Sequence, residues 1–500
     1  MHSGLSTSMS SFGQFRRQVA AAMLVAFTTS LVVGCGGSSL LPTAGTLDAT
    51  FGAGTGDGTP DGVVGRSLGA GNDYAKTMAV QTDGKIVVAG STTSDANGGT
   101  SNIVVERFNS DGSLDVTFGV GNSDGSPDGT VTLDLGDSSD VAMAVKIQAD
   151  GKIVVAGTSK PTNGTSNIIL VRLTSAGVLD TSFGADANDG TVAGVVAVDL
   201  GGAGEDVANA LAIQADGKLV VAGSTTLSGT KNLMLARVNT NGSLDSAFGA
   251  SGTDGTPAGV VSISLGDGDD QANGLVIQPD NRIVVAGTTR AADSTTNAFV
   301  ARLNSDGELD SSFGVGSADG TVDGVAGISF GNGNDAASAV TLQSDGKILV
   351  VGATTAADNS TNIAVARLNT DGSLDNSFGA DASDGTPHGV TGLSLGTGND
   401  TGVAITMQAD GKIVVAGFTV ASDGSTNAAV ARLLSNGTLD TSFGQGNSDG
   451  TPDGVVAISL GAGNDFAHAL AVQSDGKILI AGDRTNAGSS DVWLARLLAI

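Results

Sequence analysis

Aspartate in glycine-rich loops is the one chemically able residue that this chain supplies in quantity: 48 Asp, against three Glu, three His, one Tyr and one Cys. Asp-Gly pairs stand at Asp57, Asp124, Asp189, Asp254, Asp319, Asp384 and Asp449. In four of these loops a second Asp follows four residues on, at 61, 128, 323 and 453. Calcium needs six to eight oxygens from carboxylates and carbonyls in permissive loops. The pairs Asp124 and Asp128, Asp319 and Asp323, and Asp449 and Asp453 are therefore the calcium candidates. These loops lack the alternating D-x-D-x-D spacing of a compact cage, and ordinary Asx and Gly turns account for the same residues. We expect no cofactor, with calcium as the alternative.

The elements that position these loops follow from internal repetition. LDxxFG occurs seven times, with Asp at 48, 115, 180, 245, 310, 375 and 440, one interval of 67 residues and then five of 65. DGK recurs at Asp83, Asp150, Asp216, Asp345, Asp410 and Asp475, and as Asp280-Asn281-Arg282 in the fourth copy. Each unit reads as four short strands, in the seventh 454–461, 466–473, 477–482 and 491–498, with Asp-Gly as the hairpin signal between two of them. Helical periodicity and caps are absent. Seven four-stranded units of about 65 residues predict an all-β, seven-bladed β-propeller over 45–500. A stacked solenoid is the alternative, disfavoured because the end copies carry no special capping sequence.

The repeats resemble the bacterial delta-60 repeat family, whose signature runs like QxDGKIVVAG…VARLNxDGSLDxSFG. Gln343 to Lys347 and Leu374 to Gly379 follow it closely. The resemblance implies a propeller-like fold and says almost nothing about function. Repeat-locked side chains read as structural. Arg recurs at 107, 172, 237, 302, 367, 432 and 496, eight residues before an LDxxFG Asp in the first six copies. A guanidinium on a packed face needs a carboxylate, so we expect pairs such as Arg107 with Asp115, Arg172 with Asp180 and Arg367 with Asp375. Arg496 has no downstream Asp and Asp48 no upstream Arg, so a closed ring predicts that these two meet. The recurrent Phe (51, 118, 183, 248, 313, 378, 443) reads as a packing plug, and the recurrent Gln near the hairpin as a backbone bridge.

Other chemistries find little material. His388 and His468 lie in no hydrolase-type motif and read as incidental. Zinc has no Cys or His cluster, and the GxG strings precede strands, not helices, which leaves a phosphate loop unsupported. The GAGND string at 461–465 resembles a calcium-binding nonapeptide turn, yet such turns stack every nine residues and these recur about every 65. A formal charge of -28 repels phosphate backbones, so nucleic acid is not an expected partner. Asp pairs could serve a glycosidase, but near-identical copies supply no asymmetric constellation. We expect no catalytic residues. An enzyme would need non-repeated acids, His or Tyr gathered in the central channel.

The N-terminus carries an address. Arg16 and Arg17 precede a 15-residue apolar run, Val19 to Val33, too short to span a bilayer and suited to a secretory signal. Val32-Val33-Gly34-Cys35 resembles the bacterial lipobox, which implies a signal peptide over 1–34, lipid on the sole cysteine, Cys35, and a tether over 35–44. Gly36 after the cysteine implies the outer membrane. The expected protein is thus an exported, lipid-anchored surface module. It binds an envelope or extracellular ligand without catalysis, with calcium-dependent adhesion or an envelope glycan-active enzyme as alternatives. The variable loops between the third and fourth strands of each unit, on the rim of the GxGND turns, read equally as a binding surface and as exposed loops free to drift, and their small polar residues argue against a tight protein interface.

Overall fold

A computed structural model describes residues 43–499 apart from 54–55, 57–58, 70, 94–98, 120–128, 137, 162–163, 185–191, 199, 201–203, 228, 250–255, 267, 292–293, 315–322, 332, 357, 380–387, 396–397, 422–423, 446–450 and 487. Every regular element among the described residues is a β-strand. Hydrogen bonding sorts them into seven separate four-stranded antiparallel sheets, the blades of a seven-bladed propeller. In the first blade the order from inside out is Asp73–Val80, Ile86–Thr93, Ser101–Phe108 and Thr130–Leu133. Neighbouring inner strands touch one another in an unbroken ring, Asp73–Val80 meeting both Ser138–Ile147 and Asp465–Val472. The second strands are apolar runs because both their faces are covered; Ile86 to Ser91 are all buried.

The blade boundary falls one strand away from where the sequence reading cut it. Val455–Ile458 does not pair with the 465–497 hairpins; it pairs with Thr426–Leu433 as the outer strand of the sixth blade. A fixed period gives the spacing of strands but not which loop crosses between sheets. The seventh blade therefore lacks an outer strand of its own, and Val63–Arg66 supplies it by pairing with Ser489–Leu497. Val63–Arg66 thus completes the last blade. Ala44, read as the end of the tether, is buried and its carbonyl accepts the amide of Gly444.

One arginine per blade organises the packing. Its Nε donates to an LDxxFG Asp at 2.7–2.9 Å: Arg107 to Asp115, Arg172 to Asp180, Arg237 to Asp245, Arg302 to Asp310, Arg367 to Asp375, Arg432 to Asp440, and Arg496 to Asp48 across the closure. The same guanidinium lies over the recurrent Phe at 4.5–4.7 Å. Its Nη1 donates to a carbonyl of the next blade, for example Arg432 to Ala499 at 3.0 Å and Arg496 to Ser110. The DGK cation, Lys477 in the seventh blade, reaches the same carboxylate from outside. Burial alone would raise the pKa of Asp48. Hydrogen bonds from Thr50 and Lys477 and the charge of Arg496 overcome that and hold it at about 2.

A second pair occurs only at the closure. Glu106 is buried on the third strand of the first blade, where other blades carry Ala or Val. Arg66 stands on the closing strand where others carry Leu, Val or Ile. Arg66 Nε lies 3.1 Å from Glu106 Oε1. Burial pushes the Glu106 carboxyl up, opposed mainly by Arg66.

Two outcomes are expected. Arg66→Leu alone leaves a buried acid unpaired and should cost about 3–5 kcal/mol. Arg66→Leu with Glu106→Ala restores the residue types of the other blades and should fall within about 1 kcal/mol of the parent, in urea unfolding followed by the buried Trp493. Asp48→Asn should cost roughly 2–4 kcal/mol at pH 7. Since its folded pKa is depressed, that contribution is complete above about pH 4 and is lost as pH falls through about 2. Parent and variant unfolding curves should therefore converge at the acid end and nowhere else.

Candidate functional site

The sequence candidates sort quickly by position. Cys35 lies outside the described residues, as do Asp124, Asp128, Asp319 and Asp449. Asp323 and Asp453 are exposed in the turns before outer strands, and His388 is exposed in the corresponding turn. Among the described residues no group of three or more His, Cys, Asp or Glu is placed to hold a metal ion. The GxGND aspartates are buried at the start of the inner strands, first in six of them and third in Ser138–Ile147. There their carboxylates fold back onto the preceding loop: Asp73 accepts the Leu68 amide at 2.7 Å and the Thr92 hydroxyl at 2.6 Å. Asp465 accepts the Leu460 amide at 2.7 Å. Burial raises the pKa of Asp73, Asp270, Asp335, Asp400 and Asp465, partly offset by these donors. They tie the outer-to-inner crossing and are not open to a ligand.

The inner wall is shaped by a bulge that every blade shares. The register slips three residues after the buried Asp of each inner strand, for example between Ala75 and Thr77 and between Ala467 and Ala469. A glycine on the second strand makes room for it. A Cβ on Gly90 would stand 1.8 Å from the Tyr74 carbonyl oxygen, and one on Gly482 1.7 Å from that of Phe466. A bulge re-aims the extra side chain. Here the bulged residues are Lys76, Met143, Asn209, Asn273, Ser338, Val403 and His468. Each is half-buried, and they reach along the ring: Asn209 donates to Ala272 O and Asn273 to Ala337 O, each on the next inner strand.

At the closure this ring becomes chemically distinct. His468 Nε2 lies 2.7 Å from Asp483 Oδ1, while Lys76 Nζ of the first blade lies 3.6 Å from that oxygen and 3.5 Å from His468 Nε2. Asp483 is buried, replacing the Ser, Thr, Ala or Phe of other blades. Lys76 sits 4.9 Å over the ring of Tyr74, the only tyrosine. Phe466 packs edge-on against Phe418 at 5.2 Å and stacks at 6.1 Å with His468. Tyr74, Phe418 and Phe466 are each half-exposed. None of these six belongs to the repeat. All lie within a few residues of the strand ends that meet the GxGND turns and the variable loops, at the mouth of the channel on that rim.

The sequence reading took His468 as incidental and did not single out Lys76, Tyr74 or Asp483. The signal was present: aligned on the GxGND Asp, the bulge position varies between copies and carries an ionisable side chain only in the first and seventh. Chemically the group offers three flat apolar faces beside an ammonium and an imidazole that share one buried carboxylate, a geometry suited to gripping a polar ring. His468→Leu should cost about 1–3 kcal/mol, because Asp483 loses a partner. His468→Asn with Asp483→Ser adopts residue types found at the same positions in other blades. It should leave the urea midpoint nearly unchanged; an equal loss in the double variant would make the cluster structural only.

Seven stretches of the chain, 81–118, 148–183, 214–248, 278–313, 343–378, 408–443 and 473–499, match the model of a family described as a domain of unknown function (DUF5122) beta-propeller. No curated protein matches. Among solved structures the chain is similar to a protein of unknown function from Dyadobacter fermentans, with 11% identity and a TM-score of 0.37, covering 88% of this chain and 100% of that one. It is also similar to the polysaccharide lyase Uly1, with 10% identity, a TM-score of 0.46 and coverage of 92% and 98%. Drosophila Semaphorin 2a gives 9% identity, a TM-score of 0.46 and coverage of 88% and 75%. Below a TM-score of 0.5 these likenesses carry no argument about what this chain binds or does.

Proposed function

We propose that this chain, whose seven blades match the DUF5122 propeller family model, is a non-catalytic binding module held on the bacterial envelope by lipid on Cys35. The observation that carries the reading is the gathering of the repeat-breaking side chains Tyr74, Lys76, Phe418, Phe466, His468 and Asp483 at one mouth of the channel. The seven Arg–Asp hubs and the loop-tying aspartates hold the scaffold rigid around it. A ligand entering there meets aromatic faces, the Lys76 ammonium and the His468 imidazole. The address rests on the apolar run ending in Gly34-Cys35.

The same gathering is what an enzyme needs, and His468 beside Asp483 favours a glycan-active enzyme as the second reading. Glycoside hydrolysis uses two carboxyl groups about 5–9.5 Å apart across the bond. Among the described residues the inner and second strands offer Asp483 at the mouth, and the other mouth acids are tied to loop backbone. That arrangement supports binding over turnover. Calcium-dependent adhesion has only the acidic loops in its favour.

A glycan and envelope-protein screen on the body from residue 43 onward should return a ligand whose binding falls at least tenfold in Tyr74→Ala and Phe466→Ala, about 1.4 kcal/mol or more. Product release from any bound glycan would move the reading to the enzyme. Cys35→Ser should abolish metabolic palmitate labelling and shift the protein out of the membrane fraction; a labelled variant would overturn the anchor. A melting temperature lowered by chelator would revive the calcium reading.

A further inference from the structure

The seven inner strands carry little charge beyond one loop-tied aspartate each. What remains is Lys76, Lys146 and His468, with no acid among them. Lys146 lies on the inner strand Ser138–Ile147, opposite Val154, where the other blades place Ala, Val or Thr. It stands three residues beyond the bulge, about 10 Å further along the strand from the mouth level of Lys76 and His468. Its side chain is solvent-exposed, yet burial in the surrounding protein lowers its pKa from the usual lysine value. An ammonium that is exposed to solvent and yet surrounded by protein fits a place facing the interior of the closed ring of inner strands. No acid lies within ion-pair distance of Lys146 among the described residues, in contrast to Lys85, Lys152, Lys218, Lys347, Lys412 and Lys477, which are each paired to Asp.

We infer that the channel is an anion site and that its ligand is a small acidic saccharide, its ring against Tyr74 and Phe466 at the mouth and its carboxylate toward Lys146. The two halves of this assignment come from different features. Flat, half-exposed aromatic rings suit the C–H face of a sugar ring. An unpaired ammonium in a confined, weakly screened lumen attracts a carboxylate far more than one on an open surface. Nearby polar side chains bond within the ring: Asn209 and Asn273 donate to neighbouring carbonyls, and the buried Gln408 donates to Gly476 O at 3.0 Å. Lys146 is left to act outward. This inference rests on the binding reading above and adds the charge class of the ligand.

The test is calorimetric titration of the folded body with trigalacturonate, maltotriose and inorganic phosphate, for the parent, Lys146→Thr and Lys160→Met. Thr occupies the position of Lys146 in two other blades, at 341 and 406, so that variant retains a repeat-compatible strand. Lys160 is a surface lysine paired with Glu205. The expected result is that trigalacturonate binds, that Lys146→Thr weakens it at least tenfold, and that Lys160→Met leaves it unchanged. Failure of both anions to bind, or equal binding by parent and Lys146→Thr, overturns the anion site. Maltotriose binding that needs Tyr74 but not Lys146 also overturns it, while leaving the mouth as a binding site. Phosphate binding that depends on Lys146, with none for trigalacturonate, overturns the saccharide assignment.

Discussion

A single guanidinium per blade is the interaction on which the architecture depends. Arg367 illustrates what it does: Nε on Asp375 at 2.8 Å, Nη2 on the Ser377 hydroxyl at 3.0 Å, Nη1 on the Ser435 carbonyl of the next blade, and the planar group over Phe378. Asp375 in turn holds its own turn together through the amide and hydroxyl of Ser377. Each link between blades therefore passes through a planar, five-donor group that lysine could not replace. Buried ion pairs commonly contribute little net stability, because desolvation offsets the attraction. The value of this one is geometric. It fixes the angle between a blade and its successor, and seven equal angles close a ring.

Near-identical repeats create a registry problem that the hub alone cannot solve. The outer edge of every third strand accepts an outer strand of similar sequence, so Val63–Arg66 could in principle pair with the wrong blade or with another chain. Non-repeated pairs mark the correct partner. Arg66 meets Glu106 only when the closing strand lies on the seventh blade beside the first, and Lys76 meets Asp483 under the same condition. Any other closure strands a buried carboxylate at Glu106. The departures from the repeat at this seam thus have two uses, to specify closure and to make the channel mouth chemically asymmetric.

Much of this was legible before any coordinates. The 65-residue period, the four strands per unit and the meeting of Arg496 with Asp48 follow from spacing and from the need of a packed guanidinium for a carboxylate. The blade phase was not legible, because hydrogen-bond partners between sheets leave no mark in a periodic sequence. Nor was the channel wall. An inner strand such as DFAHALAV reads as ordinary alternation until the bulge opposite Gly482 turns His468 out of register, and a bulge depends on contact with a partner strand. Lys146 is similar: in sequence it is one lysine among apolar neighbours, and only the ring of inner strands places it in a lumen. The acidic loops drew attention by number alone, and number is set by sevenfold copying.

That copying also bears on how an acidic protein could hold an acidic ligand. A formal charge of -28 repels anions at a distance, but at physiological salt such repulsion fades over about 8 Å. The acids of the repeat do not share one surface: the hub aspartates are neutralised by Arg and Lys, and the GxGND aspartates are turned into loop backbone. What an entering ligand feels at short range is the lumen itself, where the unpaired charge is cationic. A long polyanion would span the acidic exterior and be repelled along its length, whereas a ligand short enough to fit within the channel meets Lys76, already shared with Asp483, and the unpaired Lys146. Selection by length thus follows from charge placement alone, without any contact that reads the length directly.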